Sequence, residues 1–268
     1  MDIQFVKQSV EIIREDNPIK RIELCGRVCY KSEDRITEGS AQKFVEKLVK
    51  SGHTSVLEHA RVVVPHWYIQ EILEDTERKK VWNKGHLKCY GISNRTYAYK
   101  NYRTVNARDF IAVGGTVEEL AMMQNANDYM TVRFTCDRGI SHELVRHRQM
   151  SFSQESTRYV NYKNRPMQFI IPLPFAWSVA PEDSDDRIIL EAYKYSCKMS
   201  AEAYEYMLSI GCKPQEARIV LPTGLKTELI MTGTHQQWDD VFALRDSEAA
   251  HPHVRYLMKL LKEKLEGA

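Results

Sequence analysis

The clearest alternation of hydrophobic and polar positions lies in the segment MTVRFTCD, residues 130–137. Met130, Val132, Phe134 and Cys136 occupy one face, and the polar residues between them occupy the other. Because side chains alternate between the two faces of a strand, this pattern predicts a β-strand with one buried face. Three more apolar segments also predict strands or extended chain, and they are residues 62–64, 168–177 and 225–234.

Other segments repeat their apolar residues every three or four positions, which predicts helices. In residues 41–52, Phe44, Leu48 and Val49 share one face, and Gly52 follows the last turn as at many helix C-termini. The same spacing marks residues 115–127, 138–148, 183–214, 236–246 and 251–265. Strands and helices follow one another without a regular βαβ order. We therefore predict an α+β fold, with a twisted, mostly antiparallel sheet flanked by helices in a single domain spanning residues 1–268.

The composition is that of an ordinary globular protein. The chain has 268 residues, of which 43% are hydrophobic and 28% are charged. Its net charge of +2 gives no general basic field, so we expect local anion binding and no nucleic acid partner. No apolar run reaches about 18 residues and no signal peptide is apparent, which predicts a cytoplasmic protein without a membrane span. The six cysteines are then expected to be free thiols.

The segment HELVRH, residues 142–147, is similar to the zinc-binding helix of metalloproteases but does not fit it. That helix needs two histidines four residues apart, so that both lie on one face. His142 and His147 are five residues apart and would point roughly 140° from each other on a helix. Cys25 and Cys29 have no second Cys/His pair nearby. We therefore predict no metal site.

A cluster of basic and imidazole side chains, Arg146-His147-Arg148, precedes a serine-rich segment. We expect the cluster at a helix C-terminus that runs into a serine-rich loop. The planar fork of arginine suits phosphate and carboxylate groups, so one interpretation is a phosphate-binding site. The other interpretation is a solvated basic turn whose charges are paired with Glu143 and Glu155. Composition alone leaves both open.

The spacing R-H-R-x2-S-x4-S-x-R, from Arg146 to Arg158, resembles the signature of flavin-dependent thymidylate synthases. Three further segments are similar to parts of that family: SGHTSVLEHARVVV at 51–64, EARIVLP at 216–222 and DDVFALRDSEAAHPHVR at 239–255. The resemblance thus reaches the beginning, middle and end of the chain. The stretch from about 66 to 128 is longer than a compact member of the family needs, and we interpret it as an insertion within the sheet region.

The resemblance implies an enzyme, a methyltransferase that makes dTMP from dUMP. Members of the family take the carbon from methylenetetrahydrofolate and the hydride from reduced FAD, and NADPH reduces the flavin again. They are homotetramers with active sites at subunit interfaces. The implied partners are therefore dUMP, a folate and further copies of this chain.

The resemblance also implies roles for individual residues. The dUMP contacts would be Glu143, Arg146, Gln154, Ser156, Thr157, Arg158, Arg218 and Arg245. The FAD contacts would be His53, Ser55, Arg146, His147, Arg148, Gln154, Thr234 and Asp240, with His53 and Ser55 coming from a neighbouring subunit. Arg245 would be catalytic, because a guanidinium at the uracil edge stabilises negative charge that develops on the ring.

The chain departs from the family pattern at several positions. Ser153 and Gln154 stand where many members carry Asn-x-Glu-like residues. Glu143 stands where members often have glutamine, and its carboxylate could pair with Arg146 or Arg148 instead of contacting the base. The tripeptide Thr234-His235-Gln236 stands where many members have an Asn-Ala-Arg that contacts flavin.

A similar tripeptide, Asn106-Ala107-Arg108, lies in the inserted segment. We hypothesise that Asn106 and Arg108 replace the missing FAD contacts in space. Two other interpretations remain. The chain could be a related flavoenzyme that methylates or hydroxymethylates another pyrimidine nucleotide, or a non-catalytic nucleotide- or RNA-binding relative that has lost flavin.

Overall fold

The computed structural model describes residues 2–65, 67, 68, 71, 74, 102–173 and 185–267. The strands are β1 (Ile3–Val6), β2 (Ser9–Ile12), β3 (Arg61–Pro65), β4 (Tyr102–Asn106), β5 (Tyr129–Asp137), β6 (Ser151–Gln154), β7 (Met167–Ile170) and β8 (Lys226–Thr234). The helices are α1 (Pro18–Tyr30), α2 (Ser40–Lys50), α3 (Ala107–Ala112), α4 (Val117–Met122), α5 (Arg138–Leu144), α6 (Asp185–Ser209), α7 (Pro214–Ala217), α8 (His235–Arg245) and α9 (Pro252–Glu266). This mixture of helices and strands confirms the predicted α+β class.

The central sheet has four antiparallel strands in the order β2-β5-β8-β6. Strand β5 pairs with β8 along its whole length, from Tyr129 opposite Thr234 to Asp137 opposite Lys226. Helices α8 and α9 cover one face of this sheet, and their apolar residues join those of β5 and β8 in one core. The predicted antiparallel sheet flanked by helices is thus confirmed.

The predicted buried face of β5 is confirmed, since all four of its apolar residues lie in that core. The prediction of only one buried face is wrong at Thr131, which is also fully buried. Helix α1 packs there on the other side of the sheet, and Arg21 donates from Nη1 to Thr131 Oγ1 at 3.1 Å. A threonine in a polar face can thus be buried when a helix brings it a hydrogen-bond partner.

Two smaller sheets accompany the central one. Strands β1 and β7 pair in parallel, with Ile3 opposite Met167, so the fold is mostly but not wholly antiparallel. Strands β3 and β4 are antiparallel, with Arg61 opposite Asn106. Strand β4 and helices α3 and α4 belong to the segment that we interpret as an insertion, and residues 66, 69, 70, 72, 73 and 75–101 of it lie outside the described residues. The single domain and the insertion stay predictions.

The structure corrects two predictions near the basic cluster. The helix expected over 138–148 ends at Leu144, so the cluster lies in the turn beyond it. The expected serine-rich loop contains strand β6, in which Ser151 lies opposite Thr232 of β8. The backbone N–H and C=O groups of this short polar segment form hydrogen bonds to the edge of β8. The pattern of apolar residues does not reveal this pairing.

The remaining predicted helices are present, but the one predicted over 115–127 spans only Val117–Met122. In α2 the buried face is centred on Ala41, Val45 and Leu48, while Phe44 and Val49 pack at its margin. The five cysteines other than Cys89, which lies outside the described residues, are free. Among the described helices, none combines the length and apolar character that crossing a bilayer requires.

Candidate functional site

The turn after α5 carries the three residues of the basic cluster. Asp137 caps the N-terminus of α5 through its side chain, and the helix stops at Leu144. Arg146 and Arg148 are exposed beyond it, and neither forms an ion pair with any residue that the structure describes. Two unpaired guanidinium groups close together favour the binding of an anion. The alternative of a charge-paired basic turn is therefore not supported.

Arg245, the last residue of α8, lies against this turn. Its Nη1 donates to Glu143 Oε2 at 3.0 Å, its Nη2 donates to the carbonyl oxygen of Glu143 at 2.8 Å, and its Nε donates to His147 Nε2 at 3.0 Å. The expectation that Glu143 could pair with Arg146 or Arg148 is wrong, because α8 brings Arg245 to the carboxylate instead. The predicted catalytic residue Arg245 is thus held by Glu143, a predicted dUMP contact, and by His147, a predicted FAD contact.

His147 is neutral in this arrangement. Burial lowers the pKa of its imidazole, the charge of Arg245 lowers it further, and the charge of Asp240, also on α8, acts in the opposite direction. Since Nε2 accepts a hydrogen bond from Arg245, the ring proton must lie on Nδ1. Arg245 has five N–H groups, of which three are used inside the chain, so two remain on Nη1 and Nη2.

A second basic group lies where β6 ends. The hydroxyl of Ser156 accepts from the backbone N–H of Arg158 at 3.3 Å, and Arg218 Nη1 lies 3.5 Å from Thr157 Oγ1. Arg158 is exposed, with its guanidinium 5.5 Å from the ring centre of Tyr159. No carboxylate within the described ranges forms an ion pair with Arg158 or Arg218. The structure therefore brings together the four predicted phosphate contacts from two distant parts of the sequence.

The two residues that depart from the family pattern inside the signature are bound within the protein. Gln154 Nε2 donates to Ser141 Oγ at 2.8 Å and to Thr227 Oγ1 at 3.3 Å. Ser153 is buried, and its hydroxyl lies 2.9 Å from His59 Nε2. Both side chains connect strand β6 to other elements, and the amide nitrogen of Gln154 is occupied by these contacts.

His59 joins the signature strand to the centre of the sheet, a role that the sequence did not reveal. It is fully buried, with Nε2 on Ser153 and Nδ1 2.7 Å from Thr232 Oγ1. Thr232 continues the chain of hydrogen bonds to Thr131 at 2.9 Å, and Thr131 reaches Arg21. Burial lowers the pKa of His59 to about 3, and the nearby charge of Arg21 adds to this shift. A neutral imidazole is therefore a fixed part of the fold.

Glu58 connects the inserted segment to the signature strand. Its carboxylate forms an ion pair with Arg108 and accepts from Ser151 Oγ at 3.2 Å. Its carbonyl oxygen accepts from Asn106 Nδ2 at 3.2 Å. The side chain of Asn106 also caps α3 by accepting from the backbone N–H of Arg108. The Asn-Ala-Arg tripeptide of the inserted segment therefore lies beside the signature.

The start of α8 is joined to the same region. Thr234 caps α8 by accepting from the backbone N–H of the third helical residue. The backbone N–H of His235 donates to the carbonyl oxygen of Asp128 at 3.2 Å. The carboxylate of Asp128 accepts from Thr104 Oγ1 at 3.1 Å and from Arg61 Nη2 at 3.3 Å. Thr104 lies two residues before Asn106 on β4, so the two tripeptides are linked through one acidic side chain.

Other predicted contacts lie at the edges of this region. His53 and Ser55 are exposed side chains at the beginning of the 3-10 helix Thr54–His59. Among the described contacts, none joins either of them directly to the basic cluster. A cleft of about 750 Å³ opens beside His235 and is lined in part by Arg14 and Asn127. The cleft offers room for a ligand next to Thr234.

Glu155 belongs to a buried charged cluster instead of the basic turn. It lies 3.2 Å from Lys226 Nζ, which also contacts Glu228 at 2.6 Å, and Lys31 joins the same group. Burial alone would raise the pKa of Glu228, but Lys226 and Lys31 lower it to about 2. The pairing of Glu155 with the basic cluster is therefore wrong. The lysine partners of Glu155 hold the chain directly before Ser156.

Comparison with known proteins finds a matching family and several relatives. A family model described as "Thymidylate synthase complementing protein" matches residues 11–69 and 126–268. The chain is 33% identical over 120 residues to a flavin-dependent thymidylate synthase of Geobacter sulfurreducens, an alignment that covers 45% of this chain and 48% of that protein. It is 30% identical over 131 residues to one of Pyrococcus abyssi, covering 48% and 50%. It is 25% identical over 265 residues to one of Mycolicibacterium vanbaalenii, covering 92% and 75%. In the first two alignments the chain spans about half the length of its relative.

Proposed function

Because the chain belongs to the thymidylate synthase complementing protein family, we propose that it is a flavin-dependent thymidylate synthase that converts dUMP to dTMP. The observation that carries the proposal is the position of Arg245 between Glu143 and His147, on the turn that carries the exposed guanidiniums of Arg146 and Arg148. A nucleotide substrate and a dinucleotide cofactor each bring phosphate groups, and the two basic groups suit them.

We assign the phosphate of dUMP to Ser156, Thr157, Arg158 and Arg218. Their support is the cluster of hydroxyl and guanidinium donors without a neutralising carboxylate in the described ranges. A charged guanidinium that is not paired inside the protein can form bidentate hydrogen bonds to phosphate oxygens. Arg146 would lie between this group and the cofactor, as the resemblance implies.

Arg245 would act on the base. The two N–H groups that it does not use inside the chain can donate to a uracil carbonyl oxygen, where negative charge develops in the transition state. Its three internal hydrogen bonds fix its orientation in advance, so little reorganisation is needed at the moment of reaction. Glu143 and Gln154, which the resemblance also assigns to dUMP, would contribute mainly through the contacts that hold this region in place.

We assign FAD to the exposed guanidiniums of Arg146 and Arg148, the neutral imidazole of His147, and the neighbouring Thr234 and Asp240. The fit rests on two cations and the Nδ1–H group of His147, none of which has an ion-pair or hydrogen-bond partner among the side chains that the structure describes. Further contacts are proposed for Gln154, and for His53 and Ser55 from a second copy of the chain. When bound and reduced, FAD would supply the hydride.

Asn106 and Arg108 would supply the FAD contacts that Thr234 and Gln236 lack. The support is their connection to the signature strand through Glu58 and to the start of α8 through Asp128. An arginine from the inserted segment would then stand in for one that the family carries before its last catalytic helix.

The co-substrates would be methylenetetrahydrofolate as carbon donor and NADPH as reductant. We also propose a homotetramer with active sites at subunit interfaces, because His53 and Ser55 do not reach the basic cluster within one chain. The free thiols of the five described cysteines suit a cytoplasmic location. Neither nucleic acid nor a membrane is expected as a partner.

The proposal can be tested with purified protein. The chain should carry FAD, visible in its absorbance spectrum, and dUMP should change that spectrum. With NADPH and methylenetetrahydrofolate it should form dTMP, identified by mass. Arg158→Ala should weaken the dUMP-induced change, whereas Arg35→Ala, at an exposed site elsewhere, should not.

Three results would oppose the proposal. Protein that neither contains nor takes up flavin would point to a relative that has lost the cofactor. A product formed from dCMP but not from dUMP would point to a flavoenzyme for another pyrimidine nucleotide. A wild-type response to dUMP in Arg158→Ala would refute the assigned phosphate site.

A further inference from the structure

Helix α6 has two apolar faces on opposite sides. Cys197, Ala201 and Tyr204 form the buried face, which packs into the core with β7 and the 3-10 helix Tyr162–Asn164. The opposite face carries five large apolar side chains that stay in water: Ile188 (62% exposed), Tyr195 (67%), Met199 (46%), Tyr206 (66%) and Ile210 (62%). At about 100° per residue, these five lie within roughly 60° of one another and about 180° from the buried face.

A second apolar face needs an explanation. A helix on the surface of a globular protein usually has one apolar face toward the core and a polar face toward water. Single exposed hydrophobic residues are ordinary, but a continuous stripe of them marks a contact surface. From Ile188 to Ile210, which follows the last residue of α6, the stripe rises over 22 residues, or roughly 33 Å, and so covers most of the length of the helix.

The order of residues in the stripe is symmetric about Met199. Ile188 and Ile210 stand eleven residues before and after it. Ala192 and Tyr206 stand seven residues away, and Tyr195 and Ala203 stand four residues away. If two copies of α6 pair antiparallel about a two-fold axis at Met199, isoleucine meets isoleucine and each tyrosine meets an alanine. This alternation of large and small side chains is what close helix packing requires.

The tyrosines of the stripe favour the antiparallel arrangement. A parallel pair would place Tyr195 against Tyr195 and Tyr206 against Tyr206, whereas the antiparallel pair places each tyrosine opposite an alanine.

The size of the surface is adequate. The five side chains expose on the order of 600 Å² per copy, so a pair would bury about 1,200 Å², which is the lower limit for a stable protein interface. We propose that the outer face of α6 is a two-fold interface between copies of this chain, with Met199 on the axis. This assignment does not rest on the proposed activity, and neither measurement below needs substrate or flavin.

Cysteine cross-linking tests the axis. Met199→Cys should form a disulfide-linked dimer rapidly on mild oxidation, because a residue on a two-fold axis meets its own copy. Ile188→Cys alone should cross-link no faster than the wild-type chain, since its two copies would lie roughly 33 Å apart. Mixing Ile188→Cys with Ile210→Cys should restore the cross-link.

A charge on the axis tests the assembly itself. Met199→Glu should halve the mass of the particle in solution, as measured by light scattering or sedimentation. Ile189→Glu, on the same helix and also exposed but outside the stripe, should leave the mass unchanged. The proposal is overturned if Met199→Cys links no faster than wild type, if Ile188→Cys links to itself, or if Met199→Glu leaves the mass unchanged.

Discussion

Replacement of Glu143 by alanine tests how Arg245 is held. In the structure the Glu143 carboxylate accepts one hydrogen bond from Arg245, and its backbone carbonyl oxygen accepts another. Alanine removes the first bond and its charge but keeps the second. The bond to His147 also stays, so Arg245 would remain near its place while losing one of three contacts.

The expected effect follows from these contacts. A hydrogen bond between charged groups stabilises by about 1.5–3 kcal/mol, but the Glu143 side chain is 32% exposed, so we take about 1 kcal/mol after screening by solvent. If Arg245 contacts the base only in the transition state, and the lost hydrogen bond is needed to orient it, kcat should fall about five- to tenfold. The KM for dUMP should change by less than about threefold, because a contact made only in the transition state does not contribute to ground-state binding.

The assay is dTMP formation at saturating NADPH and methylenetetrahydrofolate over a range of dUMP concentrations. Glu143→Gln keeps an acceptor oxygen without the charge and should lose less activity than alanine. Glu248→Ala, an exposed glutamate beyond α8, is the matched control and should behave as wild type. A Glu143→Ala variant with normal kcat and a strongly raised dUMP KM would refute the argument, and would support the direct substrate contact that the resemblance implies.

Three further predictions concern the surroundings of the site. His59→Ala should lower the free energy of unfolding by about 3 kcal/mol, because it opens a cavity and removes one hydrogen-bond partner from each of two buried hydroxyls. A loss under about 0.5 kcal/mol in urea denaturation would contradict this. In the wild-type chain, His59 makes its full contribution to the free energy of unfolding above about pH 6.5. That contribution falls by up to about 1.4 kcal/mol per pH unit as the pH drops toward 3. The reason is that the pKa of His59 is lower in the folded state than in the unfolded state, so the unfolded state binds the proton first. That pH slope should be smaller in His59→Gln, and an equal slope in both chains would assign it to other groups. Arg108→Ala should weaken FAD binding about tenfold in a fluorescence titration, whereas Arg35→Ala should have no effect. Adding Gln236→Arg to the Arg108→Ala chain should restore part of the lost affinity. Unchanged affinity in Arg108→Ala would refute the hypothesis that Arg108 replaces the missing FAD contact.

The fold was predictable where an element is long and its pattern is local. The alternation in β5 and the apolar spacing in α6 identified both elements correctly. The pairing of β1 with β7 was not predictable, since Ile3 and Met167 are far apart in sequence and each strand has only four residues. Strand β6 was missed for a related reason: its polar residues form a strand because the edge of β8 offers hydrogen bonds, and not because of their own pattern.

The candidate site shows the same limit. The spacing of the signature made Arg146 and Arg158 candidate site residues, but it could not show that Arg245 would donate to Glu143, 102 residues earlier. His59 and Glu58 were visible as part of a family-like segment and received no role. Their roles arise from contacts with Ser153 and Ser151, 94 and 93 residues away, which a single sequence does not reveal.

Strand β6 explains why several departures from the family pattern can coexist. Each of its polar side chains is bound to a different element: Ser151 to Glu58, Ser153 to His59, and Gln154 to α5 and β8. The strand therefore holds the 3-10 helix, the central sheet and the basic turn in fixed relation. Because Glu58 also binds Arg108, a change in the inserted segment reaches the signature through one carboxylate. The polar residues between the signature arginines then serve mainly to fix position. Because they bind to other elements, the guanidiniums on either side have no carboxylate partner among the described residues and stay available to anions.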